Sequence, residues 1–125
     1  MCTKKILLAD DEKPLRDLLV ATIRDDTRYK ILEAKDGLGA LKIARKERPD
    51  LMILDVMMPH MDGFEVCRHI KSDPDTRGTI IIILTARVHD EDKERAKEVG
   101  ANCYLTKPFS PTALLKKLRE VLGSR

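Results

Sequence analysis

Two kinds of apolar pattern alternate along the chain. The first is the short continuous run: Ile6-Leu-Leu-Ala9, Leu51-Met-Ile-Leu54 and Ile80-Ile-Ile-Ile-Leu84, each bounded by polar residues. Such a run has no exposed face, so it reads as a strand covered on both sides, as the central strands of a parallel sheet are. The second is helical spacing. Leu15, Leu18, Leu19, Thr22 and Ile23 recur at i, i+3, i+4, i+7 and i+8, which lines them along one face of a helix. Ala40, Leu41 and Ala44 form a second such stripe, Phe64, Cys67 and Ile70 a third, and Leu114, Leu115, Leu118, Val121 and Leu122 the last.

Punctuation residues set the boundaries. Strands are predicted over Lys4–Ala9, Tyr29–Ala34, Leu51–Leu54, Thr79–Thr85 and Asn102–Thr106. The Tyr29–Ala34 strand is the most polar, as an edge strand can be, and Thr79–Thr85 is the richest in β-branched residues. Pro14 suits the first turn of a helix. Gly37 and Gly63 begin the second and third helices, and the second ends before Pro49. Asp73-Pro74-Asp75 and Gly78 mark a loop. A fourth helix, about His89 to Val99, closes on Gly100 in the usual C′ position. Its apolar surface is only Val88, Ala96 and Val99, so it is expected to be the least firmly docked element. Strict alternation of strand and helix implies an α/β fold, a doubly wound parallel sheet with helices on both faces. Sites in such sheets lie at the carboxyl ends of the strands.

Composition narrows the class. The chain has 125 residues, the size of one domain. Charged residues make up 36% of it, above the usual roughly 25%, yet the net charge is only +3. A mixed solvated surface explains that better than a nucleic-acid footprint, which would need the basic residues clustered on one face. Three cysteines, Cys2, Cys67 and Cys103, lack metal-ligand spacing, and their odd number without a secretory signal favours reduced thiols in the cytoplasm. The longest aliphatic run, Ile80 to Leu84, is far too short to span a bilayer.

The strand ends carry the candidate chemistry: Asp10 and Asp11, Asp55, Thr85 and Lys107. Three acids converging on one edge repel one another unless a cation joins them, and hard oxygen ligands with room for water suit Mg²⁺. Asp10-Asp11-Glu12 read alone would serve equally as helix caps, and Asp55 alone as a turn residue. A lysine and a hydroxyl beside a metal-bound carboxylate point to phosphoryl chemistry, in which charge on the phosphoryl oxygens has to be positioned and neutralised. Mg²⁺ would take one oxygen, Lys107 another and Thr85 a third, with Asp55 as the nucleophile that becomes an acyl phosphate.

Ile6-Leu-Leu-Ala-Asp10-Asp11-Glu12, Leu54-Asp55-Val-Met-Met-Pro59-His-Met-Asp62-Gly63, Leu84-Thr85-Ala86 and Tyr104-Leu-Thr-Lys107-Pro108-Phe109 stand in one order and spacing. Together they resemble the receiver domain of two-component response regulators, of the chemotaxis-regulator-like kind, over essentially the whole chain. The resemblance implies a flavodoxin-like five-stranded sheet of order 2-1-3-4-5. It implies that Asp55 accepts a phosphoryl group from the phosphohistidine of a histidine kinase or phosphotransfer protein. Asp11 and Asp55 would ligate Mg²⁺ directly, Asp10 through water, and Met57 through its backbone carbonyl. Thr85 and Lys107 would contact the phosphoryl group, Tyr104 would be the switching aromatic, and the Lys107–Pro108 peptide would be cis. Met57 and Arg87 would tune the lifetime of the phosphate. The fourth helix, fifth strand and fifth helix would form the output face, serving a downstream protein target, an output domain or a homodimer. No direct nucleic-acid or membrane contact is expected.

On this reading the chain is a receiver domain over residues 1–125 without an output domain, and its only chemistry is its own phosphotransfer and autodephosphorylation. Gly123-Ser-Arg125 would suit the start of a linker. A Mg²⁺-dependent aspartyl-phosphate hydrolase of the haloacid dehalogenase type also combines Asp, Thr, Lys and Mg²⁺. It needs a second acid two residues after its nucleophile, where this chain has Met57. A flavodoxin needs a hydroxyl-rich phosphate loop after the first strand, where Asp10-Asp11-Glu12 would repel a phosphate.

Overall fold

A computed structural model describes residues 3–24, 26, 28–86, 89–107 and 109–123. Strands and helices alternate along it: β1 Lys4–Ala9, α1 Lys13–Ile23, β2 Tyr29–Ala34, α2 Gly37–Glu47, β3 Leu51–Leu54, α3 Gly63–Ser72, β4 Ile80–Thr85, α4 Asp90–Glu98, β5 Cys103–Thr106 and α5 Pro111–Leu122. The five strands form one sheet in the order β2-β1-β3-β4-β5, and every neighbouring pair is parallel. β2 is an edge strand, as its polarity suggests.

The pleat sends alternate side chains of each strand to opposite faces. Leu7, Ala9, Met52, Leu54, Ile81 and Ile83 pack under α2, α3 and α4. Ile6, Leu8, Leu51, Ile53, Ile82 and Leu84 pack under α1 and α5. Every residue of β3 is buried, which is why that strand shows no polar alternation.

Two strand starts fall one residue later than the pattern predicts, each for a local reason. Thr79 lies in a turn: its N–H donates to the Thr76 carbonyl and its hydroxyl to the Pro49 carbonyl. Asn102 stands before β5, and its side-chain oxygen accepts from the N–H of Ile81 at 2.8 Å.

α4 shows the small apolar face its sequence predicts: Ala96 lies within it, with Val99 buried just beyond. The pattern did not foretell two further features. Asp92 in its first turn is buried, and Arg95 places its guanidinium 4.9 Å from the centre of the Phe64 ring on α3. Val88 lies outside the described residues.

Candidate phosphoryl-transfer site at the carboxyl ends of the strands

Parallel pairing carries the site residues together. Ala9 lies opposite Leu54, so the next residues, Asp10 and Asp55, leave the sheet side by side. The ladder continues one step past each strand: Asp10 N–H donates to Ala34 O, Asp55 N–H to Ala9 O and Lys107 N–H to Thr85 O. Each side chain is thus aimed by backbone that is still hydrogen-bonded to the sheet. The loop after β3 folds back tightly, with the N–H of Gly63 donating to Val56 O at 3.1 Å. A Cβ on Gly63 would collide with the Asp55 carbonyl, so only glycine lets α3 start this close to the site.

Four carboxylates meet here. One oxygen from each of Asp10, Asp11, Glu12 and Asp55 lies within 4.8 Å of the others. Asp10 and Asp55 are buried, while Asp11 and Glu12 are exposed. Lys107 Nζ sits 3.0 Å from Asp55 Oδ2, 3.4 Å from Asp10 Oδ2 and 3.6 Å from Glu12 Oε1. Backbone donors hold the two buried acids: Glu12 N–H gives 2.8 Å to Asp10 Oδ1, and Met57 N–H gives 3.3 Å to Asp55 Oδ1. Arg16 steadies the first loop by donating to the Asp10 carbonyl at 2.6 Å.

The capping alternative for Asp10-Asp11-Glu12 fails on geometry. Glu12 is the N-cap residue of α1 but makes no side-chain cap, and the first turn holds no acid. Helices α2 and α3 are capped by Asp36 and Asp62, the latter in a reciprocal box with Glu65. Where acids cap helices here they are Asp36 and Asp62, and the acids after β1 turn to the site.

Charge crowding leaves a signature. Burial raises the pKa of Asp10, the Glu12 N–H opposes this, and the neighbouring Asp55 charge raises it further, to about 6 from an ordinary 3.8. Burial works to lower the Lys107 pKa, but contact with Asp55 and Asp10 outweighs it and the ammonium is held more firmly. Four acids against one lysine is a donor set of hard oxygens in search of positive charge, two of them open to water. That set fits a Mg²⁺ ion that keeps several waters. A group whose pKa is higher in the fold favours folding in its protonated form. Its contribution is fully present below about pH 4 and is lost as pH rises through about 6. In chelator, thermal melts from pH 4 to 8 should show Asp10→Asn gaining stability over the wild type across that window. Parallel curves would show that Asp10 carries no such strain.

The other expected site residues fall around this centre. Thr85 ends β4, buried, and its carbonyl receives Lys107 N–H. Tyr104 pairs with Ile83 in the β4–β5 register and lies half-buried against the core cluster that includes Ala96 and Val99 of the α4 side. Met57 exposes its side chain beside Asp55. Residues 87 and 108 lie outside the described residues, and with them the tuning role expected of Arg87 and the cis Lys107–Pro108 peptide. Sequence reasoning missed Glu12 as the fourth carboxylate and Arg16 as a loop anchor. The adjacency of Glu12 to Asp10-Asp11 was the only available signal for the first, and nothing local marked the second.

A doubly wound sheet with paired acids, a threonine and a lysine at its strand ends defines a class, and the family comparison gives it a name. The response regulator receiver domain family matches residues 6–119, and the chain belongs to that family. The family is regulatory. The phosphate regulon transcriptional regulatory protein PhoB of Pseudomonas aeruginosa is 39% identical over 122 residues, covering 98% of this chain and 53% of PhoB. The alkaline phosphatase synthesis transcriptional regulatory protein PhoP of Bacillus subtilis is 40% identical over 119 residues, covering 95% and 48%. The chain thus spans about half the length of these relatives. The chemotaxis protein CheY4 of Vibrio cholerae superposes with a TM-score of 0.89 at 38% identity, over 96% of this chain and 99% of that one. A receiver domain of a Pseudomonas aeruginosa sensor histidine kinase, with a magnesium ion coordinated in its active site cleft, superposes with a TM-score of 0.88 at 31% identity, over 98% and 100%.

Proposed function

We propose that this chain, read as one receiver unit, is a phosphorylation-dependent switch in a two-component phosphorelay, with Asp55 as the phosphoacceptor. The observation that carries the reading is the Lys107 ammonium 3.0 Å from the Asp55 carboxylate, inside a cluster of four acids. A carboxylate oxygen of Asp55 attacks phosphorus, the bond to the donor's phosphohistidine nitrogen breaks, and an acyl phosphate remains. Asp11, Asp55 and the Met57 carbonyl would hold Mg²⁺, with Asp10 acting through water. An ion held there would supply positive charge to the phosphoryl oxygens. Lys107 swings from its carboxylate partners to a phosphoryl oxygen, and the Thr85 hydroxyl donates to another. Met57 stands where an aspartyl-phosphate hydrolase needs its second acid, which disfavours that alternative.

The signal then leaves through α4, β5 and α5. Phosphorylation replaces the single negative charge of the Asp55 carboxylate with a group carrying close to two, and draws the Thr85 hydroxyl toward Asp55. Tyr104, already half-buried against the α4 side of the core, takes up the space behind it. α4, with its narrow apolar face, shifts at low cost, and the face it shares with β5 and α5 becomes a two-state element for a protein target, an output domain or a second copy. The donor would be a histidine kinase or phosphotransfer protein. The free thiols of Cys67 and Cys103 suit a cytoplasmic place of action. Beryllofluoride with Mg²⁺, a stand-in for the phosphoryl group, should change hydrogen exchange across α4 and β5. Thr85→Ala should still bind the analogue but lose most of that response. A full wild-type response in Thr85→Ala would show that the signal takes another route.

A further inference from the structure

Glu12 occupies the N-cap position of α1 and does not cap it. Its N–H is held by Asp10 Oδ1 at 2.8 Å, which fixes the backbone so that the side chain stands over the site. There Glu12 Oε1 lies 3.6 Å from Lys107 Nζ, the same ammonium that serves the buried acids. The side chains of Asp10 and Asp55 are 4% and 5% exposed, and that of Glu12 is 65% exposed. The site therefore has two layers, a buried pair of acids and the exposed Asp11 and Glu12 at the mouth, of which Glu12 approaches the lysine of the buried pair.

We propose that Glu12 is a charge gate which slows the entry of anionic phosphodonors by facing them at the mouth and by competing for Lys107. The inference rests on the reading of Asp55 as the acceptor and concerns the rate at which it is reached. A phosphodonor arrives as an anion and feels the charge of the exposed Glu12 as it approaches the buried Asp55. It also needs the Lys107 ammonium, which Glu12 helps to hold. The same negative charge attracts a divalent cation. Removing it should move two quantities in opposite directions, with donor uptake rising and cation affinity falling. Because the group is exposed, both effects should fade with salt. A residue with a merely structural role would produce neither the opposition nor the salt dependence.

The test compares wild type, Glu12→Gln and Glu12→Asp. Initial rates of labelling by acetyl phosphate are read at low and high ionic strength, and Mg²⁺ binding by calorimetry. At low salt Glu12→Gln should label faster by on the order of threefold, the effect of one unit charge several ångströms away in water. Its Mg²⁺ affinity should be weaker by a similar factor, and both differences should shrink at high salt. Glu12→Asp, which keeps the charge, should group with the wild type. An unchanged labelling rate at low salt, or a gain indifferent to salt, overturns the gate. Asp55→Asn run alongside separates the two claims: label surviving in that variant would fell the acceptor reading itself. Label lost there, with Glu12→Gln at the wild-type rate, would fell only the gate. Melting curves of the variants confirm folding, which a non-capping, exposed side chain should leave intact.

Discussion

Asp55→Asn should abolish labelling of the chain by acetyl phosphate. Asparagine fills the same space, but its amide is no nucleophile toward phosphorus, so the loss is one of chemistry and not of shape. The fold should survive. Asp55 is buried beside Asp10 and its charge helps to raise the Asp10 pKa, so a neutral amide relieves like-charge repulsion. The Lys107 ammonium loses its 3.0 Å partner but keeps Asp10 and Glu12 within 3.4 and 3.6 Å. A melting temperature at or above that of the wild type, with no incorporated label, is therefore the expected pair of results. Label on the wild type should be released by hydroxylamine, as an acyl phosphate is. Label that resists hydroxylamine would place the phosphate on a hydroxyl and sink the acyl-phosphate mechanism.

The second large effect concerns Mg²⁺. Four carboxylate oxygens within 4.8 Å of one another oppose folding unless positive charge joins them, and Lys107 supplies only one. An ion that binds the folded chain and not the unfolded one stabilises it by mass action, by about 1.8 kcal/mol at twenty times its Kd. For a chain of this size that is a rise of several degrees in the melting temperature. Asp11→Ala should remove most of the rise. Asp11 is exposed, so its loss should cost little packing, and with one like charge fewer the metal-free variant should melt at or above the metal-free wild type. A wild-type melting temperature that stays flat across a millimolar Mg²⁺ titration would rule out a cation site at these acids.

The two predictions draw on different layers of the same chain. The proposed acceptor was legible as a strand-end acid, because Asp55 follows four apolar residues and all four prove buried; the other strand-end residues, Asp10, Asp11, Thr85 and Lys107, set it apart from a turn residue. The acidic cluster was only partly legible. Asp10, Asp11 and Asp55 were marked by lying at strand ends, but Glu12 could be a cap, a solvated charge or a site residue until its side chain was placed. The absence of a cap on α1 and the 3.6 Å approach to Lys107 decided it.

The sequence by itself determined the strands, the helices and the faces they bury, because strand and helix periods are written within a few residues of one another. Leu51–Leu54 read as a covered strand and Gly63 as the start of a helix, while the close approach of Gly63 to the Asp55 carbonyl came only with the structure. Only the tertiary structure decided which carboxylates share a lysine, that Asp92 is buried, that Arg95 lies over Phe64 and that Tyr104 sits half inside the core. These contacts join residues tens of positions apart. Parallel pairing brings them together through crossovers, and no local pattern records which distant partner a side chain will meet.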